Sequence, residues 1–129
     1  MRAVIVVTHG SRRQEFLEDL EELAKFIKGE GYDVILAHNE YSFPNWREVL
    51  RDLVGRGYDE IVFALAFLGR GNHVFRDIAG SLGVSELERW VEREVDGKRV
   101  KLYFTRPLAN SPLVKTALKL RVLKALGLR

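Results

Sequence analysis

Cysteine is absent from the chain. That excludes disulfides and thiolate metal sites, and leaves His, Asp and Glu to hold any cation. It also fits a cytoplasmic protein. Long apolar runs are missing too. Ala3–Val7 and Ile61–Leu68 are the longest, far below the ~20 residues of a membrane-spanning helix. The opening run reads as a strand rather than as the core of a leader peptide. Nor is there a concentrated basic stripe interleaved with aromatics, so neither nucleic acid nor membrane is an expected partner. The net charge of +3, with 30% charged residues, is mildly basic and suits a small polyanionic ligand.

What is present reads as one domain over residues 1–129, long enough to bury roughly two-thirds of its unfolded surface. Strand and helix patterns alternate along it. Ala3–Thr8 is apolar throughout, as in a strand buried on both faces. Ser11 with Gln14 has the form of a capping box before a helix bearing Phe16, Leu20, Leu23, Ala24 and Ile27, with Gly29 and Gly31 beyond it. Asp33–His38 is a second strand. Asn45 with Glu48 caps a helix whose apolar face is Trp46, Val49, Leu50 and Leu53, and Gly55 and Gly57 end it. Glu60–Phe67 is a third, central strand, and a glycine loop leads to a short helix from about His73. Ser85 with Glu88 predicts another short helix carrying Leu87, Trp90 and Val91. Val100–Thr105 alternates apolar and polar residues and predicts an edge strand, and Ser111-Pro112 opens a final helix.

This pattern predicts an α/β fold with a four-stranded parallel sheet in the order 2-1-3-4 and helices on both faces, a flavodoxin-like layering. Ligands in such sheets bind beyond the carboxyl ends of the strands where the strand order reverses, here between strands one and three. His9 follows the first strand and His73 follows the third, so two of the chain's three histidines converge on that crevice. Both stand at or just before a helix start, whose positive end favours neutral imidazole, the form that binds a metal or accepts a proton.

The loops around these histidines resemble those of the CbiX-type sirohydrochlorin cobaltochelatases, class II chelatases of the short form. Thr8-His9-Gly10-Ser11-Arg12 is similar to the [GT]HGSR segment that opens the family. Phe67-Leu68 through Gly71, Asn72, His73 and Val74 to Asp77-Ile78 resembles its FLxxGxHVxxDI block, the most specific of the matches. Glu40 with Pro44 and Pro107-Leu108 with Pro112 resemble its E-x-x-x-P and PL-x-x-x-P segments. The four occur in family order across nearly the whole chain. Two positions depart from the pattern. Leu65 stands where the family usually has proline, and Arg70 fills a loop position often held by a small or apolar residue.

The resemblance implies ATP-independent insertion of Co²⁺, or in related members Ni²⁺ or Fe²⁺, into sirohydrochlorin, with no cofactor beyond that metal. It implies that His9 and His73 bind the metal and that one of them takes the macrocycle's protons. It implies a homodimer, because the short type is similar to one half of the longer two-domain chelatases. Ser11, Arg12, Arg47, Leu68, Gly69, Arg70, Gly71 and Asn72 are the substrate-binding candidates, and Glu40 is a possible further ligand. Arginines, Arg106 included, match peripheral carboxylates through paired hydrogen bonds.

Simpler readings stand beside these. Glu40 has the place of a solvated loop acid, Ser11 that of a helix cap, and His38 that of a structural histidine. Phe63, Phe67 and Phe75 suit the core, and Lys115–Lys124 suits a solvated helix face or a dimer surface. A histidine phosphatase would need arginine before the His-Gly pair, where this chain has Thr8. A non-catalytic metal or tetrapyrrole carrier would use the same histidines.

Overall fold

Apolar on both sides, the first strand can be satisfied only inside a sheet, and β1 (Arg2–Thr8) pairs with a parallel neighbour along each edge. The computed structural model describes residues 1–69 and 73–128, with the backbone alone at His73 and Val74. After β1 come α1 (Gln14–Ile27), β2 (Asp33–His38), α2 (Trp46–Gly55), β3 (Glu60–Leu65) and α3 (His73–Ser81). Then follow β4 (Val91–Val95), β5 (Lys98–Phe104), one 3₁₀ turn at Leu108–Asn110, and α4 (Pro112–Leu126). The sheet runs β2-β1-β3-β5-β4, with β4 antiparallel to β5 and the other pairs parallel.

The expected α/β class holds, and β2, β1, β3 and β5 keep the expected 2-1-3-4 order. The sheet nevertheless has a fifth strand and is mixed. The helix expected from Ser85 does not form. Glu88 takes a left-handed φ of 55°, and the chain enters β4 instead. Asp96 and Gly97, with φ of 48° and 79°, make the tight turn into β5, the two-residue hairpin geometry in which both central residues need positive φ. Hence Val100–Thr105 is not an edge: β5 lies between β3 and β4.

Ala3, Ile5 and Val7 share one sheet face with Ile61, Phe63, Leu65, Val100, Leu102 and Phe104, and α2 and α3 bury it. Phe63 stacks on Phe104 with ring centroids 4.5 Å apart, and Trp46 of α2 meets Phe63 edge-on at 5.9 Å. These offset and edge-on pairs add to the area they bury. Asn45 caps α2 as expected, accepting a hydrogen bond from the Arg47 N–H at 2.9 Å. Ser11 does not cap α1, because its hydroxyl accepts from the Arg13 N–H in a local turn and the helix begins at Gln14. On the opposite sheet face α1 lies over β2 through Ala24. No residue of α4 is buried.

Candidate active site

Three parallel strands deliver three loops to one end of the sheet. His9 leaves β1, Glu40 leaves β2, and Leu68 and Gly69 follow β3. The strand order reverses between β1 and β3, where a doubly wound sheet leaves a crevice.

The first two loops are joined backbone to backbone. The Glu40 N–H donates to the His9 carbonyl at 2.9 Å, and the Asn39 N–H to the Thr8 carbonyl at 3.0 Å. Ser42 closes the join, its hydroxyl donating to the Ser11 carbonyl at 2.6 Å and accepting from the Ser11 N–H at 2.8 Å. Gly10 is demanded here twice over. Its φ is +92°, and a Cβ would fall 1.5 Å from the Glu40 carbonyl oxygen. The Ser11 N–H, a candidate for receiving an anionic group, is already engaged by Ser42.

Beneath this join Thr8 and His38, adjacent in the β1–β2 register, are both buried. The Thr8 hydroxyl accepts from the Gly10 N–H at 2.9 Å and lies 2.6 Å from His38 Nδ1. The Thr8 hydroxyl thus ties the Gly10 N–H to the His38 ring. Burial pushes the His38 pKa below the ordinary 6.5, against an opposing pull from Glu21. His38 is structural, as its sequence context implied.

His9 is exposed just after β1, its ring 5.2 Å from that of Phe67, which is buried. The loop after β3 is fixed from the other side. The Leu108 N–H donates to the Phe67 carbonyl at 2.9 Å, and the Ala109 N–H to that of Leu68 at 2.7 Å. Arg12 lies over the Tyr41 ring at 4.9 Å, and Arg47 over that of Trp46 at 4.6 Å. Both arginines and Glu40 are exposed. Arg106 pairs with Glu88 at 3.2 Å and, with Leu68 and Lys115, lines a cavity of about 280 Å³.

His73 is the first residue of α3, but its side chain and the candidates Arg70, Gly71 and Asn72 lie outside the described residues. Among the described residues no group of three or more His, Asp or Glu could hold a metal. Sequence reasoning missed Tyr41 and Phe43, 64% and 89% exposed in the loop after β2. Leu68, 67% exposed, is a third exposed apolar side chain on the loops at this end of the sheet. Two aromatics between a candidate acid and a proline were the available signal.

Comparison with known proteins identifies the family and the fold. The CbiX family model matches residues 3–125. The chain belongs to the CbiX family. This CbiX chain is 29% identical over 125 residues to the sirohydrochlorin cobaltochelatase of Methanosarcina acetivorans, covering 95% of each. It is 26% identical over 122 residues to the Saccharolobus solfataricus protein of the same name, covering 95% of this chain and 94% of the other. The crystal structure of a CbiX protein from Marinobacter aquaeolei VT8 superposes with a TM-score of 0.68 over 98% of both chains, at 19% identity. That last likeness speaks to the fold alone.

Proposed function

We propose that the chain inserts a divalent metal, Co²⁺ foremost and Ni²⁺ or Fe²⁺ as further candidates, into sirohydrochlorin without ATP, as a cytoplasmic homodimer. The chain is a chelatase of the CbiX family, and so a lyase. Among the described residues no helix is long and apolar enough to cross a membrane.

The observation that carries the reading is the placing of His9. It follows β1 at the reversal of strand order, its ring against that of the buried Phe67. In the proposed reaction His9 and His73 hold the incoming metal weakly through imidazole nitrogen, leaving coordination positions open for transfer. Two pyrrole N–H protons must leave as their lone pairs turn toward the metal. A ring nitrogen poised over the macrocycle is a suitable acceptor. Tyr41, Phe43 and Leu68 would grip the flat macrocycle, and a pocket that favours its puckered form lowers the barrier. Arg12, Arg47 and Arg106 would meet its peripheral carboxylates. The reaction as proposed needs no group besides metal and macrocycle.

The test is to mix protein, sirohydrochlorin and Co²⁺ and follow the absorption spectrum. The expected result is insertion well above the protein-free rate. His9→Ala and His73→Ala should each lower it by at least about 10²-fold, the usual size of a lost acid–base group, with unchanged circular dichroism. A rate equal to the protein-free control would leave only the carrier.

A further inference from the structure

Tyr41, in the loop after β2, stands in backbone that bulky residues rarely adopt. Its φ is 67°, and the Ser42 N–H donates to the Glu40 carbonyl across it at 2.8 Å. A hydrogen bond spanning one residue at positive φ makes the strained form of the γ-turn, and for an aromatic side chain such a φ is an outlier. Glycine would fill the turn at no steric cost. The chain is pinned on both sides of Tyr41. Before it, the Glu40 N–H is bound to the His9 carbonyl, and after it the Ser42 hydroxyl is bound to both backbone groups of Ser11. A strained conformation persists only where its surroundings over-determine it, and such places gather at functional sites.

What the strain holds is a ring with a cation on it. Tyr41 is largely exposed, so its ring is not kept for the core. The Arg12 guanidinium lies over it, 4.9 Å from the centroid, within the range of a cation–π contact. Arg47 also lies over a ring, but that ring is Trp46, a core residue. Arg2, Arg51, Arg56, Arg89, Arg99 and Arg106 each pair with a carboxylate. Among the described residues Arg12 has no such partner. Contact with a ring face uses none of a guanidinium's N–H donors, so all of them are left for an anion. Arg12 follows His9 by three residues, which keeps its Cα within about 11 Å of the Cα of His9.

We infer that Tyr41 is a positioning residue: its strained turn sets the ring on which Arg12 rests, and Arg12 so presented binds a carboxylate arm of the macrocycle beside His9. The inference rests on the proposed function and adds the device by which one arm is held. A long side chain on a loop loses rotamer freedom when it binds a ligand. A ring beneath the guanidinium removes part of that loss beforehand. An exposed contact of this kind is weak, so it guides Arg12 without competing with a carboxylate, which meets a guanidinium through two parallel hydrogen bonds. The same join that fixes Glu40 to His9 therefore also fixes the ring that guides the arginine.

The test is the affinity of the full chain for sirohydrochlorin without metal, followed by absorption titration, so that insertion plays no part. Arg12→Gln should weaken binding about tenfold, and its affinity should fall less steeply with salt than that of the wild type, because one charge pair is gone. Tyr41→Gly should bind about threefold more weakly yet melt no lower than the wild type, since the strain leaves with the ring. Tyr41→Phe, which keeps a ring under the cation, should recover most of that affinity. On a logarithmic scale the double variant Arg12→Gln, Tyr41→Gly should lose less than the two single losses together. Losses that add in full would overturn the inference, because Tyr41 would then act independently of Arg12. So would a Tyr41→Gly variant that melts lower, its turn then serving the fold, or an Arg12→Gln variant that binds as the wild type does; in either case chelation could still proceed. A wild type that binds the macrocycle but inserts no metal would end the proposed reaction and leave this inference standing. One that binds no macrocycle would end both.

Discussion

One hydroxyl, that of Thr8, holds the base of the candidate site. It receives the part-buried Gly10 N–H and faces the buried His38 Nδ1. Thr8→Val keeps the shape but leaves the two partners unsatisfied, at a cost of about 1–3 kcal/mol. The melting temperature should fall by on the order of 5 °C. His9 is the next residue, so the chelation rate should fall about tenfold as its ring loses its setting. His38 gives a second prediction. Burial disfavours its cation, outweighing Glu21, so the folded pKa lies below 6.5. The unfolded ring therefore takes protons first as pH falls through about 6.5, and stability present above that value is lost toward the lower folded pKa. Thermal melts between about pH 7.5 and 5.5 should fall more steeply for the wild type than for His38→Asn. Parallel curves would show that His38 is not the group responsible. These roles were only partly legible. The His-Gly-Ser wording marked His9, but the Thr8–His38 pair joins residues 30 positions apart and appears only once β1 and β2 are in register.

At the scale of elements, the parts set by local chemistry were readable and those set by context were not. Asn45 caps α2 through its Oδ1, while its side-chain amide donates to the Asn39 carbonyl and holds it in place. Ser11 presents the same pattern and fails, because Ser42 and Arg13 take up its backbone and hydroxyl. The Ser85–Glu88 pattern carried Leu87, Trp90 and Val91 at helical spacing, yet the chain turns through a left-handed Glu88 instead. The stronger signal lay just beyond it: Asp96-Gly97 flanked by Val91, Arg93 and Val95 alternating with Glu92 and Glu94, a hairpin in form. The alternation in β5 was read as an edge. Its actual cause is an internal strand with one face uncovered. Gly97→Val puts a β-branched residue at φ 79° and should cost about 1–2 kcal/mol. Because β5 starts at Lys98 and runs parallel to β3, that turn lies at the end of the sheet opposite His9. Chelation should therefore continue at the wild-type rate at moderate temperature, although the variant melts lower. A rate loss matching the stability loss would mean that the hairpin bears on the site.

Over the whole molecule, a basic apolar helix and an uncovered sheet face exist at once in one chain. Sequence pattern recorded the helix but not the vacancy, because a vacancy depends on where the chain goes after Ser111. If the chain works as the homodimer proposed above, dissociation and unfolding become one event, and stability acquires a concentration term. Raising protein from about 1 to about 100 µM then adds roughly 2.7 kcal/mol per dimer. Set against an unfolding entropy of about 2.1 cal/mol/K per residue, this raises the melting temperature by on the order of 5 °C. Calorimetry at the two concentrations measures the shift directly. A monomer whose α4 hangs free would melt at one temperature throughout.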